Sequence, residues 1–249
     1  MTLGLQSATS LGITLGPKFQ KHLPQQHNCS RTLIIQKGFS GANMLRTIQL
    51  SHMPPGMALY VTMYRDVKNA AFLRQQLLDG NADFEYAFID ASMILTTTHV
   101  LAASFRAMND YLHGRLKSRN VHSEIVFALS PNNNIGEAFR KFGIGDTSSD
   151  LLVIKVATSP SVTLEGVRSH LQSAVEGKSI EFNNQNLEAV SDVVKVKKAY
   201  KIVSNISSKG QSKTLQPQLA STDGAELASK ETEELETAIL GAIALRGAT

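Results

Sequence analysis

The chain has 249 residues, 42% of them hydrophobic and 18% charged, with a net charge of +4 and a single cysteine, Cys29. That length can bury a full core as one domain with tails, and one cysteine excludes an internal disulfide. A charge this small does not by itself argue for nucleic acid, and no apolar run reaches the roughly 18 residues that span a bilayer.

From residue 1 to Arg65 there are six cations (Lys18, Lys21, Arg31, Lys37, Arg46, Arg65) and no Asp or Glu. Residues 1–43 show no sustained period and read as an extension: disordered, translated from a mistaken gene start, or a mitochondrial transit peptide. Residues 44–50 predict a weak strand, and residues 57–64 a stronger one after the Pro54–Pro55–Gly56 turn. Asp66 or Asn69 caps a helix that ends near Gly80 and carries Leu73 and Leu77 on one side. Asp90 or Ser92 caps the longest helix, which runs to His113 and stops at Gly114. Its expected inner face is Ile94, Leu101, Phe105, Met108 and Leu112.

A basic turn follows, with Arg115, Lys117 and Arg119. Residues 123–130 (SEIVFALS) are apolar and β-branched and predict a buried strand, broken by Pro131 and three asparagines, Asn132 to Asn134. Asn134 and Glu137 have capping-box spacing, so a helix starts there with Ile135, Ala138, Phe139 and Phe142 on its buried face. Gly143 stands where a left-handed C′ residue belongs, and residues 150–157 predict a second buried strand.

Beyond that, Thr163 caps a helix with Leu164, Val167, Leu171 and Val175 inward, stopped by Gly177. Residues 183–186 predict a polar turn and residues 187–200 a helix ending in Lys195, Lys197, Lys198 and Lys201. Residues 204–230 are rich in Ser, Gln, Thr and Lys and read as a flexible linker. The last element, within residues 231–249, is an amphipathic helix striped by Leu235, Ala238, Ile239, Ala242 and Ile243. Together these elements predict an α+β fold, a two-layer sandwich with a small sheet packed against several helices, over residues 44–203 plus the terminal helix.

Catalytic motifs are missing from the sequence. Gly177–Lys178–Ser179 fails as a phosphate loop, because position 172 is Gln172 rather than glycine. The seven histidines are dispersed and make no metal-ligand spacing, so no metal and no cofactor is expected. A free-standing small α+β hydrolase or transferase with no recognisable motif is the alternative. Three surfaces have interaction potential instead. The basic turn lies beside the asparagine loop and Arg140, Lys141, where cations and amides suit a single-stranded nucleic acid end. The cations from Lys195 to Lys201 are a second surface, and the terminal helix, whose Leu240 and Leu245 fall off its stripe, is a third.

Residues 116–144 (LKSRNVHSEIVFALSPNNNIGEAFRKFGI) closely resemble the EKC/KEOPS complex subunit family that binds the PRPK (Bud-type) kinase. Residues 64–80, 193–202 and 242–247 fall in the family's order, and Met44 stands where the family usually begins, which favours extension or gene-start error for residues 1–43. The resemblance implies a TPRKB-like, non-catalytic subunit that binds and stimulates the kinase-like ATPase, joins the other EKC/KEOPS subunits through it, and needs no membrane. It also implies that tRNA, including its 3′ CCA end, is held for N6-threonylcarbamoyladenosine modification of ANN-decoding tRNAs, in nucleus and cytoplasm, with links to telomeres and transcription. On that resemblance Lys117, Arg119, Asn132, Asn133 and Asn134 are tRNA-binding candidates, and the basic surfaces add Arg115, Arg140, Lys141 and Lys198. Leu235, Ile239, Leu240, Ile243, Leu245 and Arg246 are the kinase-binding candidates.

Overall fold

The structure, a computed structural model, describes residues 44–202 and 223–246. The 1–43 extension, with Cys29 in it, and residues 203–222 of the expected linker lie outside the described residues.

Strand β2 (Leu59–Arg65) organises a five-stranded antiparallel sheet. Along one edge runs β4 (Leu151–Val156), paired from Leu59↔Val156 to Tyr64↔Leu151. The opposite edge is shared by two short strands, β1 (Arg46–Ile48) and β5 (Lys178–Ile180). Beyond β4 lies β3 (Ala87–Asp90), in register from Ala87↔Ile154 to Asp90↔Leu151. No strand of this sheet carries proline, which could not donate to the ladder.

Side chains alternate across the pleat, so each strand feeds two cores. Leu59, Val61, Met63, Leu152, Ile154 and Val156 face one of them. There they meet α2 (Thr97–Leu112), α3 (Val121–Ala128), α7 (Val193–Ala199) and the terminal α8 (Asp223–Leu245). Tyr64, Phe88, Leu151 and Val153 face the other core, against α1 (Ala70–Leu78) and α5 (Leu164–Ala174). The α+β expectation holds, and the face that a two-layer arrangement leaves open is covered by this second, smaller helical layer. No helix among the described residues is long and apolar enough to cross a membrane.

The largest correction is at residues 123–130. They do not form a strand: α3 runs through them, capped by Asn120, whose side chain accepts from the Ser123 N–H at 2.8 Å. Seven of its eight residues are buried, because α2, α4 (Ile135–Phe142) and the sheet enclose it. A helix covered all round has no polar face and so no 3.6-residue period to read.

Other differences follow from local chemistry. The α2 cap is Thr96, which accepts from the His99 N–H, while Asp90 caps only a 3₁₀ turn, Ala91–Met93. The inner face of α2 is His99, Val100, Ala103, Ser104, Ala107 and Met108, with Phe105 and Leu112 exposed. Small residues face inward because α2 lies close against α3. At 23 residues α8 is longer than the 16-residue α2, and it begins at Asp223, eight residues before the expected start at 231. The helix expected over 187–200 is two, α6 (Asn184–Glu188) and α7, separated where Asp192 caps α7; the expected polar turn at 183–186 is the capped start of α6.

Asn134 caps α4 as expected, accepting from the Glu137 N–H at 2.9 Å, but Ile135 is exposed. Gly143 is extended rather than left-handed, with φ −74° and ψ 168°. A glycine is required there for a different reason: a Cβ would lie 2.6 Å from the Phe139 carbonyl oxygen.

Candidate functional site: a cation-rimmed cleft and a seated terminal helix

The basic turn between α2 and α3 is held from below. Glu124, 1% exposed, points its Oε2 into the turn and accepts from the Lys117 N–H at 3.0 Å, the Ser118 N–H at 2.8 Å and the Ser118 hydroxyl at 2.6 Å. Backbone donors and a hydroxyl thus converge on one carboxylate oxygen, leaving the Lys117 and Arg119 side chains on the outside. Arg115 folds back onto Asp110 at 3.1 Å.

Arg119 and Arg140 come together on one cleft of about 530 Å³. Its apolar wall includes Leu77, Phe84, Tyr86, Val126, Phe139 and Ile144. Arg74 also lines it, bound to both oxygens of Asp146 at 2.9 Å, whereas Arg119 and Arg140 have no ion-pair partner among the described residues. Gly80, at φ +70°, makes room for Arg119: a Cβ there would meet its Nη1 at 2.5 Å. Such a cleft offers aromatic faces for a planar group and cations for an anion beside it.

The other nucleic-acid candidates are divided. Lys117 is exposed on the adjoining turn, and Lys141 is committed to Glu137, whose carboxyl its hydrogen bond holds below the usual range. The Asn132 side chain is used within its own loop, accepting from Ser130 Oγ and the Asn134 N–H and donating to Glu137. Asn134 is spent on its helix, and Asn133 is exposed with no side-chain partner among the described residues. Lys198 lies on α7 and does not line the cleft. The sequence offered no signal for Arg74, Phe84 or Tyr86, which reach the cleft only through the fold.

The terminal-helix candidates are divided as sharply. Leu235, Ile239 and Ile243 are buried in the domain's own core, at 5%, 0% and 3% exposure. Leu240 is half-buried, and Leu245 is 65% exposed. Polar contacts fix the helix at its middle and at its C-terminal end. Thr96 donates to Glu236, and the Arg106 guanidinium donates to the carbonyls of Ile243, Ala244 and Arg246, groups a helix end leaves unpaired. Arg246 is 5% exposed, donates to the Phe127 carbonyl and stacks on the Phe127 ring, 3.9 Å from its centroid. Burial lowers its pKa to about 10, so it stays charged at neutral pH. Among the described residues no group of three or more His, Cys, Asp or Glu is placed to hold a metal ion.

Fold and site define an α+β domain that offers a cation-rimmed cleft and a firmly seated terminal helix. A family model described as kinase binding protein CGI-121 matches residues 64–247, and this chain belongs to that family. It is 53% identical over 208 residues to the EKC/KEOPS complex subunit cgi121 of Aspergillus terreus, covering 84% of this chain and 100% of that one. The subunit of the same name from Aspergillus fumigatus is 53% identical over 205 residues, covering 82% of this chain and 98% of its own. That of Coccidioides immitis is 45% identical over 209 residues, covering 83% and 100%.

Proposed function

We propose that this chain is a non-catalytic subunit of an EKC/KEOPS complex, which binds and stimulates the kinase-like ATPase subunit and holds tRNA by its unpaired 3′ CCA end for N6-threonylcarbamoyladenosine modification. The kinase reading rests on the match of a kinase-binding family over residues 64–247, which takes in the whole of α1 to α8. The tRNA reading rests on the cleft: Arg119 and Arg140, without ion-pair partners among the described residues, line it together with Phe84, Tyr86 and Phe139. That combination suits a stacked base and its phosphate.

Two experiments test these readings separately. The purified full chain is mixed with its partner kinase; association and a raised ATP turnover are expected, and absence of both refutes the first. For the second, Lys117→Glu with Arg119→Glu weakens tRNA binding and lowers the slope of log affinity against log salt by about 0.7 for each phosphate no longer neutralised. Unchanged affinity and slope in a folded variant remove the turn from the site.

A further inference from the structure

The cleft lined by Arg119 and Arg140 also carries a carboxylate, Glu85, between Phe84 and Tyr86, which line the same cleft. Three contacts hold Glu85 in place. Its N–H donates to the Ala82 carbonyl at 3.2 Å, closing the 3₁₀ turn Ala82–Phe84. Its own carbonyl accepts from the Lys155 Nζ at 2.6 Å. On the side chain, Oε1 accepts from the Asn120 Nδ2 at 3.2 Å. The sense of that bond is fixed, because the Asn120 oxygen caps α3 by accepting from the Ser123 N–H, which turns the amide nitrogen toward Glu85. Oε2 has no hydrogen-bond partner among the described residues, and Glu85 makes no ion pair among them with Arg119, Arg140 or any other cation.

A carboxylate standing apart from two arginines in one cleft works against a purely anionic ligand, since it repels a phosphate that the arginines attract. A ligand that suits the whole cleft brings an anion for Arg119 and Arg140, a flat ring for Phe84 and Phe139, and an N–H donor for Glu85. A nucleotide whose base carries an exocyclic amino group has all of these. Uridine has a carbonyl oxygen where cytidine has that amino group, and a carboxylate repels it.

We propose that Glu85 reads the bases of the bound strand, its Oε2 accepting a hydrogen bond from an exocyclic amino group, and so selects cytidine and adenosine over uridine. This rests on the reading that the unpaired CCA end of a tRNA occupies the cleft. Every base of that end carries such a group, on N4 of cytosine and N6 of adenine. The arginines hold phosphates whatever the sequence, and Glu85 supplies the discrimination. Asn120 and Lys155 keep the carboxylate where a base edge meets it.

The test is binding of the full-length chain, at one salt concentration, to tRNA transcripts that end in CCA, end in UUU, or lack those last nucleotides. The wild type is expected to prefer the CCA end over the UUU end by about tenfold, the discrimination of one good base contact. Glu85→Gln, whose amide can donate to a uracil oxygen, is expected to cut that preference to about twofold, chiefly by binding the UUU end better. A role confined to holding Asn120 would instead change both affinities by the same factor, so an unaltered preference in folded Glu85→Gln overturns the proposal. Equal wild-type affinities for the CCA and UUU ends overturn it as well, and that outcome needs no variant to fold. The truncated transcript keeps this failure distinct from failure of the underlying reading. Undiminished affinity for it takes the CCA end out of the cleft and overturns both. Affinity lost on truncation, with CCA and UUU bound alike, overturns the role of Glu85 alone.

Discussion

Truncating Ile239 to alanine separates the two roles the terminal helix can have. The side chain has no exposed surface and packs in the core beneath α2 and α3. Removing a fully buried isoleucine costs about 2–5 kcal/mol, the transfer energy of the deleted atoms plus an unfilled cavity. For a chain of this size each kcal/mol moves the melting temperature by about 2–4 °C. With a mid-range cost near 3 kcal/mol, the isolated chain should melt about 6–12 °C lower. Leu245→Ala gives the contrast. That side chain is 65% exposed, so its removal should stay within about 0.5 kcal/mol and leave melting almost unchanged. Under the proposed function it should weaken kinase association instead. Thermal unfolding by circular dichroism, with kinase binding by calorimetry, reads both. An Ile239→Ala chain that melts like the wild type but no longer binds the kinase refutes the burial argument, because that side chain would then face the partner.

Two further outcomes follow from buried groups. The His99 Nδ1 accepts from the Leu95 N–H and the His122 Nε2 from the Val156 N–H, so protonation breaks a bond as well as burying a charge. Burial lowers both pKa values from 6.5 to about 3. Below pH 6.5 the unfolded chain therefore binds more protons than the folded one, and stability is lost as pH falls toward 3. The loss is up to about 1.4 kcal/mol per pH unit for each histidine. His122→Gln keeps an acceptor near Nε2 and removes one proton site; urea midpoints across this range should show its share of the acid slope gone, and an unchanged slope contradicts the assignment. Gly143→Ala should destabilise by about 1–3 kcal/mol, since its Cβ would lie 2.6 Å from a helical carbonyl, and an unshifted urea midpoint would refute that close approach.

Where one face of an element is wet, its pattern was legible. The Asn134 cap, the Thr163 cap and the Leu235–Ile239–Ile243 stripe stand close to where spacing put them. The strand at residues 150–157, buried on both faces, was legible from its continuous apolar run instead. Where a helix is enclosed, the pattern misled. Helix α3 is buried on every side, so SEIVFALS carries the composition of a strand, and only Asn120, three residues before Ser123, marks its helical start. On α2 the rule that large residues face inward failed, because small Ala103, Ser104 and Ala107 let the helix approach its neighbour and turned Phe105 and Leu112 outward. The four-residue β3 is too short to show alternation. The cleft was half legible: Arg119 and Arg140 belong to basic segments, whereas Arg74 and Tyr86 enter from loops and helices distant in sequence.

The terminal helix shows how far a hydrophobic stripe can be read. Its spacing reports that an apolar face must be covered but not by what, since a core and a partner remove the same surface from water. The structure settles the occupant: the domain's own core covers Leu235, Ile239 and Ile243, and Arg106 closes the helix end. A face buried once is not available again, so a partner that leaves α8 seated must use what remains. On α8 those are Leu240 and Leu245, and on α2, whose Arg106 reaches the α8 end, they are Phe105 and Leu112. A partner docking there would touch the helix whose end carries Arg246 over α3.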